Sequence, residues 1–472
     1  MSVANAHVGW LPGRQSVCFT CGEVALIAGI SLAVLAFGGT DATTFAVVEI
    51  VFAAVAILFL ARPEPAREYL SPAMIAIPTV LIGAVLFQLC PLPLSWIDLA
   101  STEDLPGGTR HFATVTIEPF ATRVHLLLLL TCVISFFLAF IISRQHERKR
   151  RVILAMVILG LFEAWYGLLQ YLTGWQKIFS YVKKYDLQEA TGTYINRNHY
   201  AGFLEMVLPL ALALGFRELR RLYKKRHEFA GDLRKVAAGS NVANFGLWIS
   251  IAVMIFAGLI CSRSRMGIVA ASLSALLMFV FAWSSKLYGK AALLMCMVFL
   301  AASVSLAGWI GAGSVVERFQ AVGQEYAAGD HSRLSIWRDT VRLIRKHPWR
   351  GTGLGTFPIA FTSVQTTFLG EFVNHAHNDY LELASDLGIP VAGALIGSLM
   401  WVVLRTIRIF RVTAKDSFDR FVALGCIGSI VAILLHSLVD FNLYIPANAV
   451  VFATILGLTM SLGRSTQGKV SG

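Results

Sequence analysis

Residues 126–151 read LLLLLTCVISFFLAFIISRQHERKRR. A nearly unbroken apolar run ends at Ile142, and Arg144, Arg148, Lys149, Arg150 and Arg151 follow at once. A helix needs about 20 mainly apolar residues to cross a bilayer, and a basic block directly after such a run marks the cytoplasmic end. The stretch is therefore a membrane span with its exit in the cytoplasm.

The same pattern repeats in both directions. Spans fall near 23–38, 43–61, 72–90, 122–143, 152–172, 198–216, 244–261, 266–284, 291–311, 387–410, 420–437 and 444–462. The fold class is all-α integral membrane, a single polytopic unit over 1–472 with about twelve transmembrane helices. A long loop, 312–386, separates spans nine and ten. Of 472 residues 56% are hydrophobic and only 14% charged, against roughly a quarter charged in soluble proteins, so one soluble core is excluded.

A net charge of +12 in a soluble chain would suggest nucleic acid. Here the basic residues follow the even-numbered spans: Arg62 and Arg67, then Arg148–Arg151, Arg217–Arg226, Lys286 and Lys290, and Arg405–Arg420. They are cytoplasmic loop residues facing lipid headgroups. Membrane lipids are the expected partners and nucleic acid is not. Both termini are then cytoplasmic. Seven cysteines are present, mostly in apolar runs; Cys18 and Cys21 form a C-x-x-C pair with no second pair to complete a zinc site. The first run leads into another span rather than a cleavage site, so no signal peptide is expected.

Four polar clusters fall on the opposite, outer side. They are Thr191-Gly-Thr-Tyr-Ile-Asn-Arg-Asn-His-Tyr-Ala-Gly202; Ser262-Arg-Ser-Arg265; a set running from Arg333 through Gly351-Thr-Gly-Leu-Gly-Thr-Phe357 to Asn374-His-Ala-His-Asn-Asp-Tyr380; and His436-Ser-Leu-Val-Asp-Phe-Asn442. Within the long loop, 332–347 has the period of an amphipathic helix with Leu334, Trp337, Val341 and Ile344 on one stripe. Such a helix lies at the membrane interface or covers the bundle.

Arg197, Arg263, Arg265 and Arg333 break the positive-inside trend. An arginine at a membrane edge costs free energy unless it snorkels or pairs, and its planar fork suits phosphate oxygens. Together they suggest a metal-free anion site; the alternative is anchoring, or pairing with Glu205, Asp379 or Asp440. His199, His375, His377 and His436 are candidate proton acceptors. His377 is the best placed, with Asn378 and Asp379 directly after it and Asp379 able to orient its ring. On a helix, the two histidines of His-x-His point to different faces, which argues against a metal and turns His375 elsewhere. The glycine-rich 351–355 lacks the Lys and Ser/Thr of a nucleotide loop and is read as a tight turn returning the loop to the membrane. Span interiors are largely free of charge, with Glu163 the main exception, which favours interfacial chemistry over a transporter or flippase.

These residues resemble the O-antigen ligase family, which includes O-antigen polymerases and protein O-oligosaccharyltransferases. Arg333, Trp337, Gly353–Phe357 and His377-Asn-Asp-Tyr-Leu-Glu382 match its pattern, Ser264-Arg265 fits, and the related region spans about 198–437. Val391 stands where a second glycine of a Gly-x-x-Gly is usual in the ligases, and His436–Asn442 resembles members that assemble exopolysaccharide. The resemblance implies a metal-independent inverting glycosyltransferase without cofactor, in the bacterial inner membrane, with a periplasmic active site. The donor would be an undecaprenyl-diphosphate-linked glycan, and the acceptor a hydroxyl of a glycan, lipid A-core or protein. The implied catalytic residues are His377, Arg265 and Arg333, and the substrate-binding ones Arg197, His199, Arg263, Asn378 and Asp379. A polymerase is the alternative within the family.

Overall fold

The computed structural model describes residues 12–60, 70–93, 112–228, 240–284, 332–366 and 372–463, with isolated positions at 297, 299, 301 and 305. The spans are α1 (Pro12–Leu35), α2 (Ala42–Leu60), α3 (Pro72–Leu89), α4 (Pro119–Ile142), α5 (His146–Thr173), α6 (Arg197–Glu228), α7 (Ser240–Cys261) and α8 (Arg265–Ser284), followed after the long loop by α12 (Ile389–Val412) and α13 (Phe418–His436). Shorter helices are α9 (Ser332–Lys346), α10 (Phe357–Thr362), α11 (Asp379–Leu387) and α14 (Pro446–Ser461). Two antiparallel ribbons, 91–93 with 112–114 and 177–178 with 181–182, are the strands among the described residues.

Ten of these helices are long and apolar enough to cross a membrane. The protein is an all-α, multi-pass membrane protein. The expected ninth span, 291–311, lies outside the described residues but for isolated positions. The expected twelfth is α14, apolar but shorter than the others; its residues are buried almost all round. Several helices take proline into their first turn, among them at Pro72, Pro119, Pro358, Pro390 and Pro446, where the missing N–H has no intrahelical partner to lose.

The axis of the bundle is α6. Its apolar window is wholly buried, and α5, α7, α8, α13 and α14 pack around it. At one end the basic exits meet. Arg148 pairs with Glu23 at 2.6 Å and Arg151 pairs with the same carboxylate, Lys149 lies 2.6 Å from Asp419, Arg220 lies 2.7 Å from Asp416, and Arg217 covers Phe418. At the other end the polar clusters meet: Ala190 N–H donates to Cys261 O, Ile117 N–H to Thr352 O, and Asp379 N–H to Ser437 O.

The glycine turn forms as expected. Gly351, Gly353 and Gly355 all have positive φ. The turn docks on the end of α11 through Gly353 N–H to Asp386 O and Gly355 N–H to Asp386 Oδ2. Gln88 of α3 clamps it, donating to Arg350 O and accepting from Leu354 N–H. A Cβ on Gly351 would stand 2.2 Å from Asp386 O, so the turn can approach α11 this closely only without a side chain.

Helix α9 packs on α10, α11 and the histidine segment, with a buried face shifted from the expected stripe. Ile336, Asp339, Thr340 and Leu343 are buried together with Ile344 of the expected stripe; Trp337 and Val341 are half-buried, and Leu334 is exposed. The buried face packs with Phe357, Phe361, Val364 and Ala376. Asp339 accepts from Thr366 N–H at 2.8 Å. Trp337 donates its indole N–H to Ala376 O at 3.0 Å and so ties α9 to the histidine segment.

Candidate active site

The site is built where three chain segments converge on the turn after α13. The first is the start of α6. Gln170 of α5 donates to Gly192 O and accepts from Thr191 N–H, while Glu163 accepts from both the N–H and the hydroxyl of Thr193. The intramembrane Glu163 thus fastens the loop that leads to His199. Asn448 of α14 then donates to His199 O.

The second segment is 374–378. It is not helical. His377 has φ +49°, a left-handed conformation uncommon outside glycine and often found at functional sites. Helix α11 starts only at Asp379, capped by Asn378, whose Oδ1 accepts from Tyr380 and Leu381 N–H while its Nδ2 donates to Leu438 O. The expectation that His375 points away from His377 fails because no helix separates them.

The third segment is the turn 437–443. Asp379 holds it: its carboxylate accepts from Ser437 Oγ–H at 2.6 Å and from Leu443 N–H, and its own N–H donates to Ser437 O and Asp440 O. Burial pushes the Asp379 carboxyl well above its usual range, although the bonds from Ser437 and Leu443 act the other way. Asp379 therefore does not orient His377, as its place in sequence suggested. Asp440 does face it: Asp440 Oδ1 lies 3.8 Å from His377 Nδ1, beyond a direct hydrogen bond.

Phe441 is the hub. His375 stacks flat on it at 3.9 Å between centroids, while His199 and His377 meet it edge-on at 4.7 and 5.1 Å. His375 Nδ1 lies 2.7 Å from Glu382, whose other oxygen accepts from Ala376 N–H. Burial lowers His375 to about 4 and raises Glu382 to about 8. Burial alone would raise Asp440 too, but His377, His199 and His436 around it prevail and hold it below the usual carboxylate range. All four candidate histidines thus share one neighbourhood. His377 is the most open of the three with an ion-pair geometry, with a third of its side chain accessible.

The arginines divide. Arg197 lies 2.8 Å from Glu189 and 3.6 Å from Asp186, and Arg263 lies 3.6 Å from Glu189. The expected partners Glu205, Asp379 and Asp440 are not theirs, since Glu205 bonds His436 and the two aspartates serve the turn. Arg265 opens α8, half-buried, and Arg333 is exposed in the first turn of α9. Among the described residues no group of three His, Cys, Asp or Glu has the geometry of a metal site. Phe441 and Glu189 were missed in the sequence; the first carries no polar atom, and the second is one acid among several in its loop.

Residues 250–396 match the family model described as O-antigen ligase. The matched stretch is similar to the O-antigen ligase family. The match includes Arg263, Arg265, Arg333 and His377–Asp379 and stops before the turn that holds Asp440 and Phe441. That likeness supports a ligase- or polymerase-type membrane enzyme. No curated protein matches the chain.

Proposed function

We propose that this O-antigen ligase-like protein moves a glycan from an undecaprenyl-diphosphate carrier to an acceptor hydroxyl on the periplasmic side of the bacterial inner membrane, by metal-independent inverting transfer. The basic end lies in the cytoplasm with both termini, following the positive-inside rule, which puts the histidine end outside. His377 acts as general base. It takes the proton of the acceptor hydroxyl as that oxygen bonds to the anomeric carbon; the bond from that carbon to the diphosphate oxygen breaks, and the diphosphate leaves with the electron pair. Arg265 and Arg333 bind the diphosphate through their forks. Arg197, Arg263 and His199 line the approach, and Asn378 and Asp379 position the turn.

The observation that carries this reading is the pairing of exposure and orientation at His377. Its ring is open to substrate while Nδ1 faces the buried, anionic Asp440. A base whose far nitrogen faces a carboxylate suits nucleophile activation.

The test uses the purified full chain with lipid-linked glycan extracted from the parent membranes, in excess chelator. Transfer is expected to proceed, and His377→Gln to lose about 10²–10⁴-fold, the usual contribution of a general base, while inserting normally. Near-normal transfer by His377→Gln removes His377 from the mechanism, and activity restored only by a specific metal removes the metal-free reading. A glycan profile of the gene deletion names the acceptor: lost lipopolysaccharide capping, lost exopolysaccharide and lost glycoprotein bands point to lipid A-core, a second glycan and a protein.

A further inference from the structure

Glu205, His436, Asp440 and His377 stand in single file, carboxylate and imidazole alternating. Both Glu205 oxygens reach Nδ1 of His436, at 3.1 and 3.0 Å. Nε2 of His436 lies 4.0 Å from Asp440 Oδ2, and Asp440 Oδ1 lies 3.8 Å from His377 Nδ1. His377 is open; Asp440, His436 and Glu205 are 2%, 1% and 0% exposed.

The proposed transfer uses only the outer end of this file. The inner two groups belong to the spanning helices α6 and α13, where an ionisable side chain is expensive and usually tied to a task. A buried pair of this kind contributes little net stability compared with apolar packing. Its geometry is nevertheless definite, because Glu205 occupies Nδ1 of His436 and so turns Nε2 toward Asp440.

We propose that Glu205 and His436 are positioning residues for the transfer, fixing Asp440 from inside the membrane and so setting the pH at which His377 is free to accept a proton. This rests on His377 being the base. Asp440 faces the imidazoles of His377 and His436, with His199 also near it, and divides its attraction among them. With Nε2 of His436 facing it from 4.0 Å, Asp440 exerts only part of its pull on His377. Without Glu205 or His436, more of that pull falls on His377. The other charged or titratable groups facing Asp440 and His377 are His199 from α6, His375 from the segment before α11, and Asp379 and Glu382 from α11. Asp379 and Glu382 are already engaged by the turn and by His375, so among the described residues His199 and the Glu205–His436 pair act on Asp440, and only the pair reaches it from inside the membrane.

The experiment measures transfer by the full chain against pH, from 5 to 9 in round figures, with lipid-linked glycan extracted from the parent membranes. Glu205→Gln and His436→Gln are each expected to move the acid limb of kcat upward by about one pH unit, the scale of a nearby charge effect. KM for the glycan should stay within about twofold, and the double variant should move the limb no further than either single one, as groups acting in series do. Glu205→Asp, which keeps the carboxylate, should return the limb toward the parent position. A purely structural role predicts uniform loss across the pH range with the limb in place, and that outcome overturns the proposal. If Glu205→Gln does not accumulate, His436→Gln and Glu205→Asp decide the matter by the same reading. A fully active His377→Gln would instead overturn the general-base assignment, a separate failure.

Discussion

The imidazole of His375 lies flat against the ring of Phe441, with centroids 3.9 Å apart and planes 12° from parallel. His199 and His377 abut the same ring, so one apolar side chain sets the spacing of three histidines from two distant parts of the chain. Phe441→Ala should therefore lower transfer by about 10²-fold, the scale of an ångström-level misplacement of reacting groups, while Phe441→Tyr keeps most of it. Parent-level activity in Phe441→Ala would show that the platform is dispensable.

The buried pair His375–Glu382 gives stability a pH signature. Glu382 is raised from 4.5 to about 8, so the fold holds its proton over that window; its contribution is full below about 4.5 and lost as pH rises toward 8. His375 is lowered from 6.5 to about 4, so its contribution is full above 6.5 and lost as pH falls toward 4. Between about 4.5 and 6.5 the two slopes oppose. Thermal melting in detergent should show Glu382→Gln gaining on the parent as pH rises from about 6.5 to 8, with no such gain between about 3 and 4. A constant difference across pH would refute the assignment.

Arg265 and Arg333 are expected to bind the donor diphosphate, with Arg197 and Arg263 as weaker contributors. A charged hydrogen bond to an anion is worth about 1.5–3 kcal/mol, so Arg265→Ala and Arg333→Ala should each weaken binding of the lipid-linked glycan roughly tenfold to a hundredfold. Arg265→Lys should fail similarly, since a point charge cannot replace the fork. Normal binding and transfer by both alanine variants would place the diphosphate elsewhere.

Cysteines placed at the exposed Gln145 and Ser363 should label from opposite sides of the membrane in whole cells. Labelling from one side would overturn the orientation and the periplasmic site with it.

The spans were legible because a bilayer imposes a one-dimensional rule: Leu126–Ile142 must be apolar whatever it packs against. The histidines were legible as residue types. Their arrangement was not, since it depends on tertiary contacts. Asp440 rather than Asp379 faces His377 because Asp379, adjacent in sequence, is turned under α11 to hold Ser437 and Leu443. The stripe on α9 was misplaced for a related reason. Leu334–Ile344 and Ile336–Leu343 both keep a helical period, and only the packing of Phe357 and Ala376 chooses between them. Glu205 looked like a counter-charge for arginine until the turn of α13 brought His436 to it.

The left-handed backbone at His377 has a practical consequence. Glycine adopts that conformation at no steric cost, so His377→Gly should keep the turn while leaving a solvent-reached hole the shape of the missing ring. Free imidazole supplied from outside can then stand in for the side chain. An enzyme so altered would wait with its carrier loaded until the small molecule is added, giving a chemically triggered, synchronised start to glycan assembly in living cells.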